Sequence, residues 1–235
     1  MNSLNQFTQL ALRPSPEAAD VLRAHARYNE ALPVADGIVV VLAENAKDYT
    51  GPGTNTYIVG DDRLWIIDPG PEDAVHVAAV VNAVAGRPVD GILVTHNHLD
   101  HSPAARPMKV AFDAPVYGFA NLCPDLMAMT DEDVDLHFKA DHELSGGEIV
   151  GDGRWRIEVL HTPGHFPNHL CYLLPEAETL FSGDHVMGWS TTVISPPLGN
   201  LGDYLDSLDL LEATNAARLL PSHGEPVHAA AKRIR

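Results

Sequence analysis

The chain has 235 residues, 45% of them hydrophobic and 20% charged, a balance that supports a folded core and excludes a disordered chain. Lys and Arg total 15 against 32 Asp and Glu, a formal net charge of −17 that disfavours broad binding to nucleic-acid backbones. Cys123 and Cys171 are too few for a disulfide scaffold, the apolar run 37–43 is too short to cross a membrane, and residues 1–20 lack an apolar signal core, so a cytoplasmic protein is expected.

A helix is expected over residues 15–32, with Ser15 as cap, Pro16 in the first turn, and Val21, Leu22, His25, Tyr28 and Leu32 on roughly one face. This makes 1–34 an N-terminal helical segment ahead of a single domain, 35–235. Apolar runs at 37–43, 56–59 and 63–67 read as strands, with the Gly-rich stretch 50–55 as the turn between the first two. Asp68-Pro69-Gly70 breaks the third. A helix over 72–85 and a buried strand over 91–95 follow, and Ser102-Pro103 has the chemistry of a helix start. Residues 121–148 are less regular, and their acidic run 131–135 reads as a solvated face. The second half repeats the first, with strands at 154–160, 170–174, 179–182 and 218–221 and helices at 203–213 and from 227. The pattern is one domain of two similar αβ halves.

The sharpest signal is Thr95-His96-Asn97-His98-Leu99-Asp100-His101, directly after a buried strand. Imidazole and carboxylate are the donors of zinc, iron and manganese sites. Residues two apart leaving a strand can face the same way, so His96 and His98 can chelate one ion. Three more donors follow strand ends beside Gly or Pro: His165 in Thr162-Pro163-Gly164-His165, Asp184 in Ser182-Gly183-Asp184, and His223 in Pro221-Ser222-His223-Gly224. Of the other histidines, His25, His76, His137, His142 and His228 read as helix-face or loop residues. His161 and His169 read as strand residues ahead of any role behind the ligands. His185 should point away from Asp184. Asp68 reads as orienting a ligand or its loop, and both cysteines read as structural thiols.

The ordered set resembles the metallo-beta-lactamase superfamily, whose signature is H-x-H-x-D-H followed by a distant His, Asp and His; the likeness runs over about 35–228. It implies an αβ/βα sandwich of two mixed β-sheets with helices on the outer faces and metals at one edge. His96, His98 and His165 would then hold a first ion, Asp100, His101 and His223 a second, and Asp184 would bridge them. Two divalent ions are implied, zinc by default, with iron or manganese also suiting the donors. Gly53-Thr54-Asn55-Thr56-Tyr57, Ile67-Asp68-Pro69-Gly70 and Gly188-Trp189-Ser190-Thr191-Thr192-Val193 are similar to the beta-lactamase-like-protein-2 group, whose members include a ribonuclease for single-stranded RNA. The chain ends at Arg235, within the helix that leads into that group's C-terminal helical extension. Asn55, Tyr57, Trp189 and Thr192 are the substrate contacts this narrower likeness implies.

The activity implied is hydrolysis of an ester, thioester, lactone or amide bond of a small substrate by a hydroxide bridging two metals, with Asp100 and Asp184 as the catalytic carboxylates. The alternatives are an endoribonuclease or phosphodiesterase acting on single-stranded RNA, a mononuclear-iron sulfur dioxygenase, and a metal-stabilised binding protein. A small-molecule substrate and no membrane partner are expected, and a homodimer is left open.

Overall fold

The computed structural model describes residues 16–120, 122, 124–127, 130 and 132–234, so residues 1–15, Cys123, Asp131 and Arg235 are among those outside the description. Seven strands form the first sheet in chain order: β1 (Ala31–Ala35), β2 (Ile38–Leu42), β3 (Asn55–Gly60), β4 (Leu64–Ile67), β5 (Val89–Leu93), β6 (Val116–Phe119) and β7 (His142–Leu144). Pairing is antiparallel from β1 to β4 and parallel from β4 to β7. The second sheet runs β12-β11-β10-β9-β8, from β8 (Ile149–Val150), β9 (Ile157–His161), β10 (Leu170–Leu174), β11 (Thr179–Gly183) and β12 (Arg218–Pro221). Only β11 and β12 pair in parallel there. The helices are α1 (Pro16–His25), α2 (Ala74–Val84), α3 (Ala105–Phe112), the short α4 (Pro124–Met127), α5 (Leu201–Ala213) and α6 (Ala230–Ile234).

Strand periodicity sorts the apolar side chains into three layers. On β10, Leu170, Tyr172 and Leu174 face between the sheets, while Cys171 and Leu173 face out. The inter-sheet layer joins Tyr57, Ile67 and Leu93 of the first sheet to Val159, Phe181 and Leu220 of the second. Ile58, Ile66 and Ile92 lie beneath Val80 and Val84 of α2 and Met108 of α3. Leu180 and Leu219 lie beneath Leu211 of α5 and Ile234 of α6. The result is the αβ/βα sandwich, helices outside. Cys171 is a buried free thiol whose pKa burial pushes up to about 12, in keeping with a structural role.

Three expectations are corrected. The helix expected over 15–32 stops at His25, Asn29 turns left-handed (φ 57°), and Ala31–Ala35 pairs with β2. Asp36-Gly37, with Gly37 at φ 67°, is the hairpin turn that permits this. The boundary expected between residues 34 and 35 therefore falls inside a strand. Ser102 caps no helix: α3 starts at Ala105, and the Ser102 hydroxyl donates to Asp135 Oδ2 (3.0 Å). Finally, the described part of the acidic run, 132–135, is a solvated face only at Asp133. Leu99 N donates to Asp133 O (2.7 Å) and Asp135 N to Asn97 O (2.7 Å), which pins the run along the histidine loop. Asp135 itself is buried and accepts from Ser102, Arg106 and the His137 amide.

Candidate metal centre

The two sheets converge at one edge. Asn55 N at the start of β3 donates to Ser222 O (2.8 Å), just past β12, and Leu170 N of β10 donates to Thr95 O (2.8 Å), just past β5. The loops leaving β4, β5, β9, β11 and β12 therefore meet. Asp68, at the end of β4, fastens them together: it accepts from Thr95 N (2.8 Å), Thr95 Oγ1 (2.8 Å), Ser222 Oγ (2.5 Å) and His101 Nδ1 (3.0 Å).

All seven side chains expected as ligands gather here. Donor atoms of His96, His98 and His165 lie within 4.8 Å of one another, as do those of His96, His101 and Asp184, and those of Asp100, His101 and His223. Asp184 lies among the others: Oδ1 is 3.3 Å from His223 Nε2, and Oδ2 is 3.5 Å from His101 Nε2 and 3.8 Å from His165 Nε2.

The outward nitrogens fix which lone pairs face inward. His165 Nδ1 donates to Val193 O (2.6 Å), His223 Nδ1 to Gly53 O (3.0 Å), and His98 Nε2 to Glu132 Oε2 (2.8 Å). The Thr95 hydroxyl gives its proton to Asp68, so it accepts from His96 Nδ1 (3.0 Å). A neutral imidazole carries one proton, so in that form each ring, with its proton outward, turns a bare lone pair inward. His96 Nε2 and His98 Nδ1 face each other at 2.8 Å, an arrangement that needs a cation between or beside them. His101 Nε2, His165 Nε2, His223 Nε2 and Asp184 Oδ1 are buried with no hydrogen-bond partner. Such convergent orphan donors fit a metal centre and fit little else.

The electrostatics agree. Burial, reinforced by the neighbouring His101 and His98, drives His96 well below its ordinary pKa. Burial raises the carboxyls of Asp100 and Asp184, but the adjacent His101 and His223 outweigh it and hold both well below the carboxylate range. Burial opposes charge on His223, yet Asp184 and Asp100 raise it to about 10. The two carboxylates thus favour positive charge at the inward face of His223, which a bound cation would supply.

A cavity of about 290 Å³ opens over the cluster, lined by Tyr49, His98, Asp100, Glu132, Asp133, His165, Asp184, Met187, Val193 and Ser195. The four expected substrate contacts are not among these. Tyr57 is buried between the sheets and donates to Pro221 O (2.7 Å), and Asn55 donates to Pro221 O (3.0 Å) and Gly224 O (2.9 Å), so both hold the loop that carries His223. Thr192 is buried and donates to Asp184 O (2.6 Å). Trp189 lies over Gly51 and Gly224, where a Cβ would come within 2.7 and 3.0 Å of it. These residues brace the metal edge from behind.

Two histidines set aside in the sequence also brace it. His169 Nε2 accepts from Asp184 N (3.1 Å), and its ring meets Thr162 Oγ1 (2.8 Å) through Nδ1. His76 bonds Thr56 Oγ1 (2.8 Å) against Gly70, under the Asp68 turn. Glu132 was hidden in the acidic run. His161 packs on Phe119 and His185 on Tyr204, as strand geometry predicts.

A model of the metallo-beta-lactamase superfamily matches residues 49–223. The beta-lactamase-like protein 2 homolog of Drosophila melanogaster is 31% identical over 203 residues, 83% of this chain and 66% of its own length. An atrochrysone carboxyl ACP thioesterase of Aspergillus chevalieri is 31% identical over 191 residues, 80% of this chain and 56% of its own. The chain thus spans between about half and two thirds of these curated relatives. The crystal structure of a metallo-beta-lactamase family protein from Thermus thermophilus shares the fold at 21% identity, with a TM-score of 0.67 over 86% of this chain and 78% of that one. With the matched region running through the whole donor set, from Tyr49 on the cavity wall to His223, the chain belongs to the metallo-beta-lactamase superfamily.

Proposed function

We propose that this chain is a metal-dependent hydrolase that cleaves an ester, thioester, lactone or amide bond of a small substrate. The observation that carries the reading is the ring of buried, unpartnered donors opening onto a cavity of small-molecule size. In this reading His96, His98 and His165 would hold one divalent ion and Asp100, His101 and His223 a second, with Asp184 available to either and zinc favoured by the donor set. Bound ions of this kind acidify water and polarise the bond to be cleaved.

The chain's own groups do the rest. Asp100 and Asp184 stay ionised beside the cavity and would accept hydrogen bonds from a water held there. Met187, Val193 and the Tyr49 ring cover the apolar part of the substrate and keep solvent out. Asp100, Glu132, Asp133 and Asp184 put four carboxylates on the wall, and no Lys or Arg is among the described lining residues. Two divalent ions would bring that wall near neutrality, which suits an uncharged acyl group better than a phosphodiester backbone. A relative named as a thioesterase supports the same direction.

Metal analysis followed by a panel of lactam, lactone, ester, thioester and bis-aryl phosphate substrates, with a short RNA added, tests the reading. Metal-dependent turnover of an acyl substrate is the expected result. Efficient RNA cleavage would replace it with the nuclease reading, and thiol-dependent oxygen consumption with the dioxygenase reading. Asp184→Ala is expected to lower turnover by more than about 100-fold and to reduce the metal held per chain.

A further inference from the structure

The histidine ligand groups are fixed from outside by different partners. His165 and His223 donate to backbone carbonyls, and His101 donates to Asp68 at the end of β4. His98 is held from another part of the chain. Its Nε2 donates to the carboxylate of Glu132 (2.8 Å), thirty-four residues on, in the acidic run that the sequence leaves as surface. A carboxylate can only accept, so the imidazole proton belongs on Nε2, and the Nδ1 lone pair is turned toward His96 and His165. The run is held by backbone as well: Leu99 N to Asp133 O and Asp135 N to Asn97 O bracket His98 on both sides. Tyr49 OH donates to Asp133 Oδ2 (3.1 Å) from the loop across the cavity. Glu132 itself lines that cavity.

We propose that Glu132 is a positioning residue of the metal centre: it sets the tautomer and orientation of His98, so the segment that walls the cavity also determines how tightly metal is held. This rests on reading the cluster as a metal centre. An outer carboxylate on a ligating histidine raises its basicity and removes its rotational freedom, and loss of such a partner weakens metal binding by about 10–100-fold. Without Glu132, the ring is free to carry its proton on Nδ1, the nitrogen that faces the cluster.

The test is zinc competition against a chelator of known affinity, with 15N NMR of the His98 ring, on the full chain and its variants. Glu132→Ala is expected to bind zinc about 10–100-fold more weakly and to spread the His98 proton over both nitrogens. Glu132→Gln keeps an acceptor oxygen and should recover part of the loss. Leu136→Ala, an exposed change in the same segment, should leave affinity within twofold. Glu132→Ala with wild-type zinc affinity and an unchanged tautomer would overturn the proposal while leaving the metal centre standing. So would Glu132→Gln no better than Glu132→Ala. Wild-type protein that takes up no zinc, manganese or ferrous iron would overturn both this and the hydrolase reading.

Discussion

Asp68 shows how a residue that ligates nothing can govern a site. Its carboxylate is fully buried, and four donors from three residues on two loops converge on it. Asp68→Ala strands those donors in a dry environment, which should cost about 3–5 kcal/mol in urea unfolding, the usual range for breaking a buried charged contact. His101 would also lose its outer partner, so zinc affinity should fall about 10–100-fold in chelator competition. Histidines behind the site predict a pH effect of defined sign. Burial pushes His76 and His185 down to about 4. The folded state then binds fewer protons than the unfolded chain between about 4 and 6.5. Their contribution is full above 6.5 and is lost as pH falls toward 4, with a slope of about 1.4 kcal/mol per pH unit for each. Urea midpoints measured across that window should fall with acidity, and His76→Gln should make the decline shallower.

Among the elements, the ends of strands matter more than their middles. β11 delivers Asp184 through Gly183, whose φ is +53°; a Cβ there would sit 2.4 Å from His169 Nε2, the atom that accepts from the Asp184 amide. Gly183→Ala must therefore displace either His169 or the Asp184 turn, beyond the roughly 1–2 kcal/mol of left-handed backbone strain. The expected outcome is a lower unfolding midpoint together with less metal per chain, read by urea titration and metal analysis. β10 and β12 match the runs expected for them residue for residue, because burial makes all of β10, and Leu219, Leu220 and Pro221 of β12, apolar. β1 escaped notice because Leu32 also fits a helical face, and only its pairing with Val40 decides otherwise. β6 and β7 are short, and β7 is largely exposed, so neither carries a hydrophobic signature strong enough to read.

The protein as a unit resembles two leaves that meet along one margin at the donor cluster. His96, His98, Asp100 and His101 come from the seven-stranded sheet, and His165, Asp184 and His223 from the five-stranded one. A cation held among them would cross-link the leaves and bind only the folded state. With metal at about 1,000 times its dissociation constant, the added stability is about 4 kcal/mol. For a chain of this size that corresponds to roughly 8–16 °C in Tm. Calorimetry of chelator-treated and zinc-reloaded protein should show a difference of that order, restored on reloading. Equal midpoints would mean that the cluster binds no ion. No helix among the described residues is long and apolar enough to cross a membrane.

What the amino-acid order determined alone was the set of candidate donors and the architecture. His96, His98, Asp100, His101, His165, Asp184 and His223 each follow a strand-like run beside turn residues, and a strand end aims whatever follows it. The folded chain decided which neighbours serve those ligands. Asn55 and Tyr57 lie near the site in sequence, yet their side chains point between the sheets at Pro221. Glu132 lies in a run that looks like solvated surface, yet backbone pairing along 97–99 brings it to His98. Spacing along a strand gives a side chain its face, but contacts across sheets and loops give it its partner, and those depend on how the layers pack.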